Sequence, residues 1–168
     1  IAVVYIEKVS GRFHARFEAS CKTYQYLVIS KPIKPVFSLP VTVVPYDVDV
    51  RRMRREARVL LGQHDFRSFQ GADRAPRASV TTLKDISIRQ LRISGIPFMT
   101  GETAILFELT GKGFLRSMVR NIVGTLLDIG RGRIEKGALK DILAARDRRR
   151  AGCCAPARGL FLKEVDYE

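Results

Sequence analysis

The sequence predicts an α+β domain: a mostly antiparallel, mixed sheet with helices packed on one face. Three observations carry this. Residues 111–130, G-K-G-F-L-R-S-M-V-R-N-I-V-G-T-L-L-D-I-G, place Leu115, Met118, Val119, Ile122, Val123, Leu126 and Leu127 in one unbroken apolar stripe at helical spacing. Residues 22–30, K-T-Y-Q-Y-L-V-I-S, are aromatic and β-branched and become apolar on both faces, as a central strand must. The remaining strands cluster, with helices between them, in the order β-β-loop-α-β-β-α-α-β.

Taken in order, residues 2–7 read as a short strand, and 11–20 mix basic residues, His14 and two Phe without clean periodicity. After the 22–30 strand, residues 31–45 carry prolines at 32, 35, 40 and 45 and read as a long surface connection. Residues 49–62 read as a helix capped by Asp47 or Asp49 and ended by Gly62. Val50, Met53, Ala57, Leu60 and Leu61 face inward, and the outer face is R-R-x-R-R-x-x-R. A His-Asp-Phe turn follows, with Phe66 and Phe69 as core plugs, and 71–82 read as polar, basic and mobile. Residues 83–93 form a strand whose alternation slips near Gln90, where a bulge fits. Residues 94–101 are a loop, and 103–110 a clean strand with Ile105, Phe107 and Leu109 on one face. A second amphipathic helix over 135–146 buries Leu139, Ile142 and Leu143, 147–158 are basic and irregular, and 160–167 form the last strand.

Off the apolar stripe of the 111–130 helix lie Arg116, Arg120 and Asn121, on what reads as a solvated basic face. Gly124, one turn beyond Arg120, leaves that guanidinium uncovered and free to meet an acidic group or a phosphate. Replacing Arg120 by Ala is therefore expected to move stability by no more than about 0.5 kcal/mol, as for an exposed residue.

A chain of 168 residues, 46% hydrophobic and 28% charged, suits one domain with a sizeable core. No apolar run approaches the roughly 18–20 residues of a membrane helix. The opening I-A-V-V-Y-I-E-K is too short and too quickly charged for a signal peptide, and without an initiator Met the chain is expected to begin mid-protein. Thirty Lys and Arg against 17 Asp and Glu give a net charge of +13, which favours a polyanionic partner, nucleic acid being the usual one. Cys21 stands alone and Cys153 adjoins Cys154; there is no C-x-x-C and no His-x-x-x-His, hence no zinc spacing. Such cysteine usage fits a reducing, cytoplasmic setting.

Four collinear stretches carry a resemblance: F-H-A-R-F-E-A-S-C-K-T-Y-Q-Y (13–26), L-L-G-Q-H-D-F-R-S-F (60–69), G-F-L-R-S-M-V-R-N-I-V-G-T-L-L-D-I-G (113–130) and A-P-A-R-G-L-F-L (155–162). In this order the chain resembles the C-terminal half of the tRNA pseudouridine synthase TruA family over essentially its whole length. The resemblance implies a pseudouridine-synthase-like half domain, one C-terminal domain over 1–168. It implies an isomerase that converts uridine to pseudouridine in the anticodon stem-loop of tRNA, as a homodimer, with neither cofactor nor metal and no membrane. The family's nucleophilic Asp sits in a G-R-T-D-x-G-V-H motif of the other half, and no Asp here follows Gly-Arg-Thr. This chain alone is accordingly expected to be inactive.

That chemistry breaks the N1–C1′ bond, turns the base and joins C5 to C1′. A carboxylate nucleophile must stay ionised and oriented, which a planar, bidentate guanidinium favours. On the resemblance Arg120 takes this part and Tyr24 stacks on the target uridine. His14, Arg16, Lys22 and Asn121 are the implied substrate contacts. The family usually has Arg where Lys22 stands; Lys keeps the charge and loses the fork. Two other readings compete: a non-catalytic basic RNA-binding module, whose Lys/Arg-Gly-Phe-Gly-Phe signature is missing, and a ribosome-associated structural protein, which the charge alone would allow.

Overall fold

The structure, a computed structural model, describes residues 5–31, 41–71, 78–93 and 103–167. Its elements are β1 (Ala19–Ser30), β2 (Thr42–Val44), α1 (Val50–Ala57), β3 (Gly62–Asp65), β4 (Val80–Arg92), β5 (Thr103–Gly111), α2 (Met118–Gly130), α3 (Ala138–Ala145) and β6 (Leu160–Tyr167). The strands form one six-stranded sheet in the order β2-β1-β5-β4-β3, with β6 also paired to β1. Among the described residues only the β1–β2 pair is parallel. The α+β class is as the sequence reads.

Period-two alternation explains the two faces of the sheet. Tyr26 and Val28 of β1, with Ile105, Phe107 and Leu109 of β5, join the main core under the helices, and Tyr24 packs against it. The other face holds a small cluster of Ile29, Val41 and Ala104 beside a polar group, in which Gln25 and Lys163 both donate to Glu108. β1 is central, flanked by β5 on one side and by β6 then β2 on the other.

Several boundaries differ from the sequence reading. Of the strand expected over 2–7, residues 5–7 form none, and the earlier part lies outside the described residues. The 31–45 connection contains β2, because Thr42–Val44 can pair alongside Val28–Ser30. The 49–62 helix stops at Ala57 and tightens into a 3₁₀ turn, so Leu61 turns outward. Asp49, not Asp47, caps it, accepting from Arg52 N at 2.9 Å. The His64–Asp65 turn is instead β3, paired with Val80–Leu83, and it delivers Phe66 and Phe69 fully buried. The bulge in β4 falls between Leu83 and Asp85, not near Gln90. Arg74, Arg77 and the 94–101 loop lie outside the described residues.

The largest departure concerns α2. Its helix begins at Met118, after the left-handed Ser117, so Leu115 precedes it. Its back is not solvated: Asn121, Thr125 and Asp128, off the apolar stripe, are 1%, 0% and 3% exposed. Residues 148–155 run across that side as a strap.

Candidate functional site

The strap is held by polar side chains one turn apart. Arg148 donates to Asn121 Oδ1 at 3.0 Å, Gly152 N donates to Thr125 Oγ1 at 3.0 Å, and Cys153 N donates to Asp128 Oδ2 at 3.2 Å. Positions 121, 125 and 128 share one helix face, so a single rail fixes the strap's height and register. Glycine makes the approach possible. A Cβ at Gly124 would overlap the Cys153 carbonyl oxygen, and one at Gly152 would lie 2.7 Å from Asp128 Oδ2. The sequence reading of Gly124 as an opening for the Arg120 guanidinium is therefore corrected: the strap's backbone fills that space.

Arg120, in the first turn of α2, is half-buried. Its carbonyl accepts from Ala155 N at 3.1 Å, and its Nε donates to Ala155 O at 2.6 Å. Using Nε in this way leaves the NH1/NH2 edge, and among the described residues that edge has no partner. The next strap carbonyl, Pro156 O, accepts from the Tyr26 hydroxyl at 2.6 Å, and that hydroxyl in turn takes a hydrogen bond from Thr42 Oγ1 at 2.6 Å. Burial pushes the Tyr26 phenol above its ordinary pKa, against the opposing pull of the Thr42 bond and of the Arg120 charge. A fixed, neutral hydroxyl thus anchors the strap on one side and Arg120 clasps it on the other.

Tyr24 stands two residues before Tyr26 on the same sheet face. Its ring meets Phe114 edge-on, centroids 5.1 Å apart. Phe114 reaches that place because Gly111, opposite Lys22, has no side chain: a Cβ there would sit 3.3 Å from the Phe114 ring and 2.7 Å from Thr82 O. Both rings are half-buried, forming an aromatic wall next to the start of α2. Such a wall can take the π-face of a planar base.

The other expected residues divide. Lys22 is half-buried on the Tyr24 face, two residues before it. His14 and Arg16 are exposed in the turn that precedes β1, where Arg16 N donates to His14 Nδ1 and Tyr167 OH donates to Ala15 O. That turn begins beyond Ala19, roughly 17 Å along β1 from Tyr24. The structure gives Asn121 a different task from substrate contact. Its Nδ2 donates to Phe69 O at 2.7 Å, its Oδ1 accepts from Arg148, and at 1% exposure it presents nothing to a ligand. The sequence reading missed Ala155, Pro156 and the Asn121-Thr125-Asp128 rail. Their signal was present as polar residues at i, i+4 and i+7 on the helix side opposite the apolar stripe.

Among the described residues no group of three or more His, Cys, Asp or Glu could hold a metal ion, and no helix is long and apolar enough to cross a membrane.

Comparison with known proteins adds the following. A family model described as tRNA pseudouridine synthase matches residues 57–168. The chain is 39% identical over 169 aligned residues to tRNA pseudouridine synthase A of Streptococcus suis strain 05ZYH33, covering 100% of this chain and 65% of that protein. It is 38% identical to the protein of the same name from Streptococcus agalactiae serotype Ia, covering 100% and 62%. It is 36% identical to that of Acetivibrio thermocellus, covering 99% and 65%. The chain thus spans a little under two thirds of the length of these curated relatives.

Proposed function

Because the chain belongs to the tRNA pseudouridine synthase family, we propose that it is the C-terminal, cleft-forming half of a tRNA pseudouridine synthase, supplying Arg120 and Tyr24 to a site whose nucleophilic aspartate lies elsewhere in the protein. The observation that carries this reading is the clasp on Arg120. With Nε held by Ala155 O, the guanidinium offers its NH1/NH2 edge, the geometry that pairs with both oxygens of a carboxylate. A guanidinium so placed favours the ionised carboxylate and fixes its direction of attack on C1′. Tyr24, backed edge-on by Phe114, holds the detached uracil by its face while it turns from N1 to C5. Lys22, on the same face, adds a positive charge for the RNA backbone, and His14 and Arg16 meet RNA beyond the end of β1.

The substrate is a tRNA anticodon stem-loop, a reading supported by the family likeness and by the net charge of +13; that the protein works as a cytoplasmic homodimer rests on the family likeness alone. Tritium release from C5-labelled tRNA tests the proposal. The 168-residue chain alone should release none, and the complete protein should turn over. Turnover by this chain at the rate of the complete protein would overturn the assignment of the nucleophile.

A further inference from the structure

We infer that the outer face of α1 is a second RNA-binding surface, a track for backbone phosphates set apart from the Arg120 site. Arg51, Arg54, Arg55 and Arg58 fall at i, i+3, i+4 and i+7 of α1 and its 3₁₀ extension, and all four are exposed. Like charges at this spacing destabilise a helix, and among the described residues no acid neutralises them. Among the described residues Arg51, Arg55 and Arg58 have no acidic partner. The acid on the same helix, Glu56, is turned inward to accept from Gly137 N at 2.8 Å.

The face is also shaped. Arg54 Nε donates to Ile88 O of β4 at 2.6 Å, which pins its guanidinium beside a groove between α1 and the edge of β4. Arg58, Ser87 and Arg89 line the same groove. Pairing with β3 ends at Leu83, so this stretch of β4 has no strand partner on that side among the described residues. Guanidiniums repeated at one-turn intervals beside an open strand edge suit a chain of phosphates, which is bound by charge without regard to sequence.

The track is remote from the proposed site. The C-terminal end of α2, at Gly130, packs on Met53 of α1, and Arg120 lies ten residues back, about 15 Å along the helix. RNA held here is therefore a different part of the molecule from the nucleotide at Tyr24. RNA as the partner rests on the reading above; the unneutralised arginine face does not.

The test measures binding of an unmodified tRNA transcript to the 168-residue chain across a salt series. In Arg51→Gln/Arg55→Gln/Arg58→Gln the slope of log Kobs against log[salt] should fall in magnitude by about 2–3, at ~0.9 per lost phosphate contact. Lys136→Gln/Lys140→Gln, which removes exposed charge on and beside α3, should change the slope far less per charge removed. An unchanged slope in the triple variant, as expected if the face served an acidic protein instead, would overturn the inference; so would an equal loss per charge in the control, since bulk charge would then account for it. Single-turnover rates of the complete protein separate this claim from the previous one. The triple variant should keep its rate at saturating enzyme. A complete protein that makes no pseudouridine yet shows the slope change would refute the Arg120 reading and leave this one standing.

Discussion

Arg120 and Ala155 are joined twice, backbone to backbone through Ala155 N at 3.1 Å and side chain to backbone through Arg120 Nε at 2.6 Å. The pair closes a loop: α2 carries Arg120, the strap carries Ala155, and Asn121, Thr125 and Asp128 tie strap to helix along the intervening turns. A long, flexible side chain is thereby held in one direction. The rotamer entropy of ordering it is met in folding, before any substrate arrives.

The first prediction follows from that clasp and reverses the expectation drawn from sequence. Arg120→Ala removes a charged donor from the carbonyl of buried Ala155 and should cost about 1–2 kcal/mol, less than a fully buried charged bond because Arg120 itself is only half-buried. Urea unfolding should show a lower midpoint at unchanged slope. In the complete protein the same change should lower the single-turnover rate far more than tRNA affinity, since the interaction is proposed to act on the nucleophile. If only affinity fell, Arg120 would be a phosphate ligand.

Gly124→Ala tests the strap itself. Alanine is the better helix former by about 1 kcal/mol. Its methyl, however, would overlap the Cys153 carbonyl, which is backbone and cannot rotate away. Overpacking of this kind costs about 1–3 kcal/mol, occasionally more, so net destabilisation is expected. Hydrogen exchange should quicken first at the Gly152, Cys153 and Ala155 amides. A more stable Gly124→Ala protein would show that the strap does not lie where the structure puts it.

These two cases show where the sequence was legible. The central strand, the apolar stripe of α2 and the buried faces of α1 and α3 follow from local periodicity, because burial on one side imposes a period. β2 and β3 were missed because each is only three or four residues long and is formed by its partner strand. The covered back of α2 was missed for a related reason. Asn121, Thr125 and Asp128 look solvated in a linear reading, and only the return of residues 148–155 from a distant part of the chain gives them partners. Arg120 and Tyr24 enter the proposed site through family likeness. What directs them, Ala155 O and the Phe114 ring, depends on contacts 35 and 90 positions away in sequence.

Glu108, on the sheet face opposite the helices, should govern part of the acid sensitivity. The Gln25 amide donating at 2.6 Å, outweighing the cost of burial and aided by Lys163 at 3.2 Å and Arg89 at 3.9 Å, holds its carboxyl below the ordinary glutamate range. A folded pKa below the unfolded one means stability that is present above the unfolded value, about 4.5, and lost as pH falls through the folded value. Wild type should therefore lose more stability than Glu108→Gln as pH falls below the ordinary glutamate value of 4.5, the two profiles converging at the acid end. Parallel profiles would show that the carboxylate contributes nothing.

Tyr24 requires a test that separates packing from substrate contact. Its ring meets Phe114 at 5.1 Å and 80°, an edge-to-face pair worth about 0.5–1.5 kcal/mol beyond area burial. The cycle of Tyr24→Leu, Phe114→Leu and the double variant should return a coupling of that size in urea unfolding. Tyr24→Phe keeps the ring and loses only a hydroxyl that has no hydrogen-bond partner among the described residues. It should be within about 0.5 kcal/mol of wild type in stability. If the ring also holds the displaced uracil, the complete protein should separate the variants further. Tyr24→Phe should retain most of the single-turnover rate. Tyr24→Leu should lose transition-state stabilisation of about 1–3 kcal/mol, the value of one base stack, on top of its stability loss. Phe114→Leu, which leaves Tyr24 in place but unbraced, should fall between them in rate. Equal rates for Tyr24→Leu and wild type at saturating enzyme would reduce Tyr24 to a packing residue.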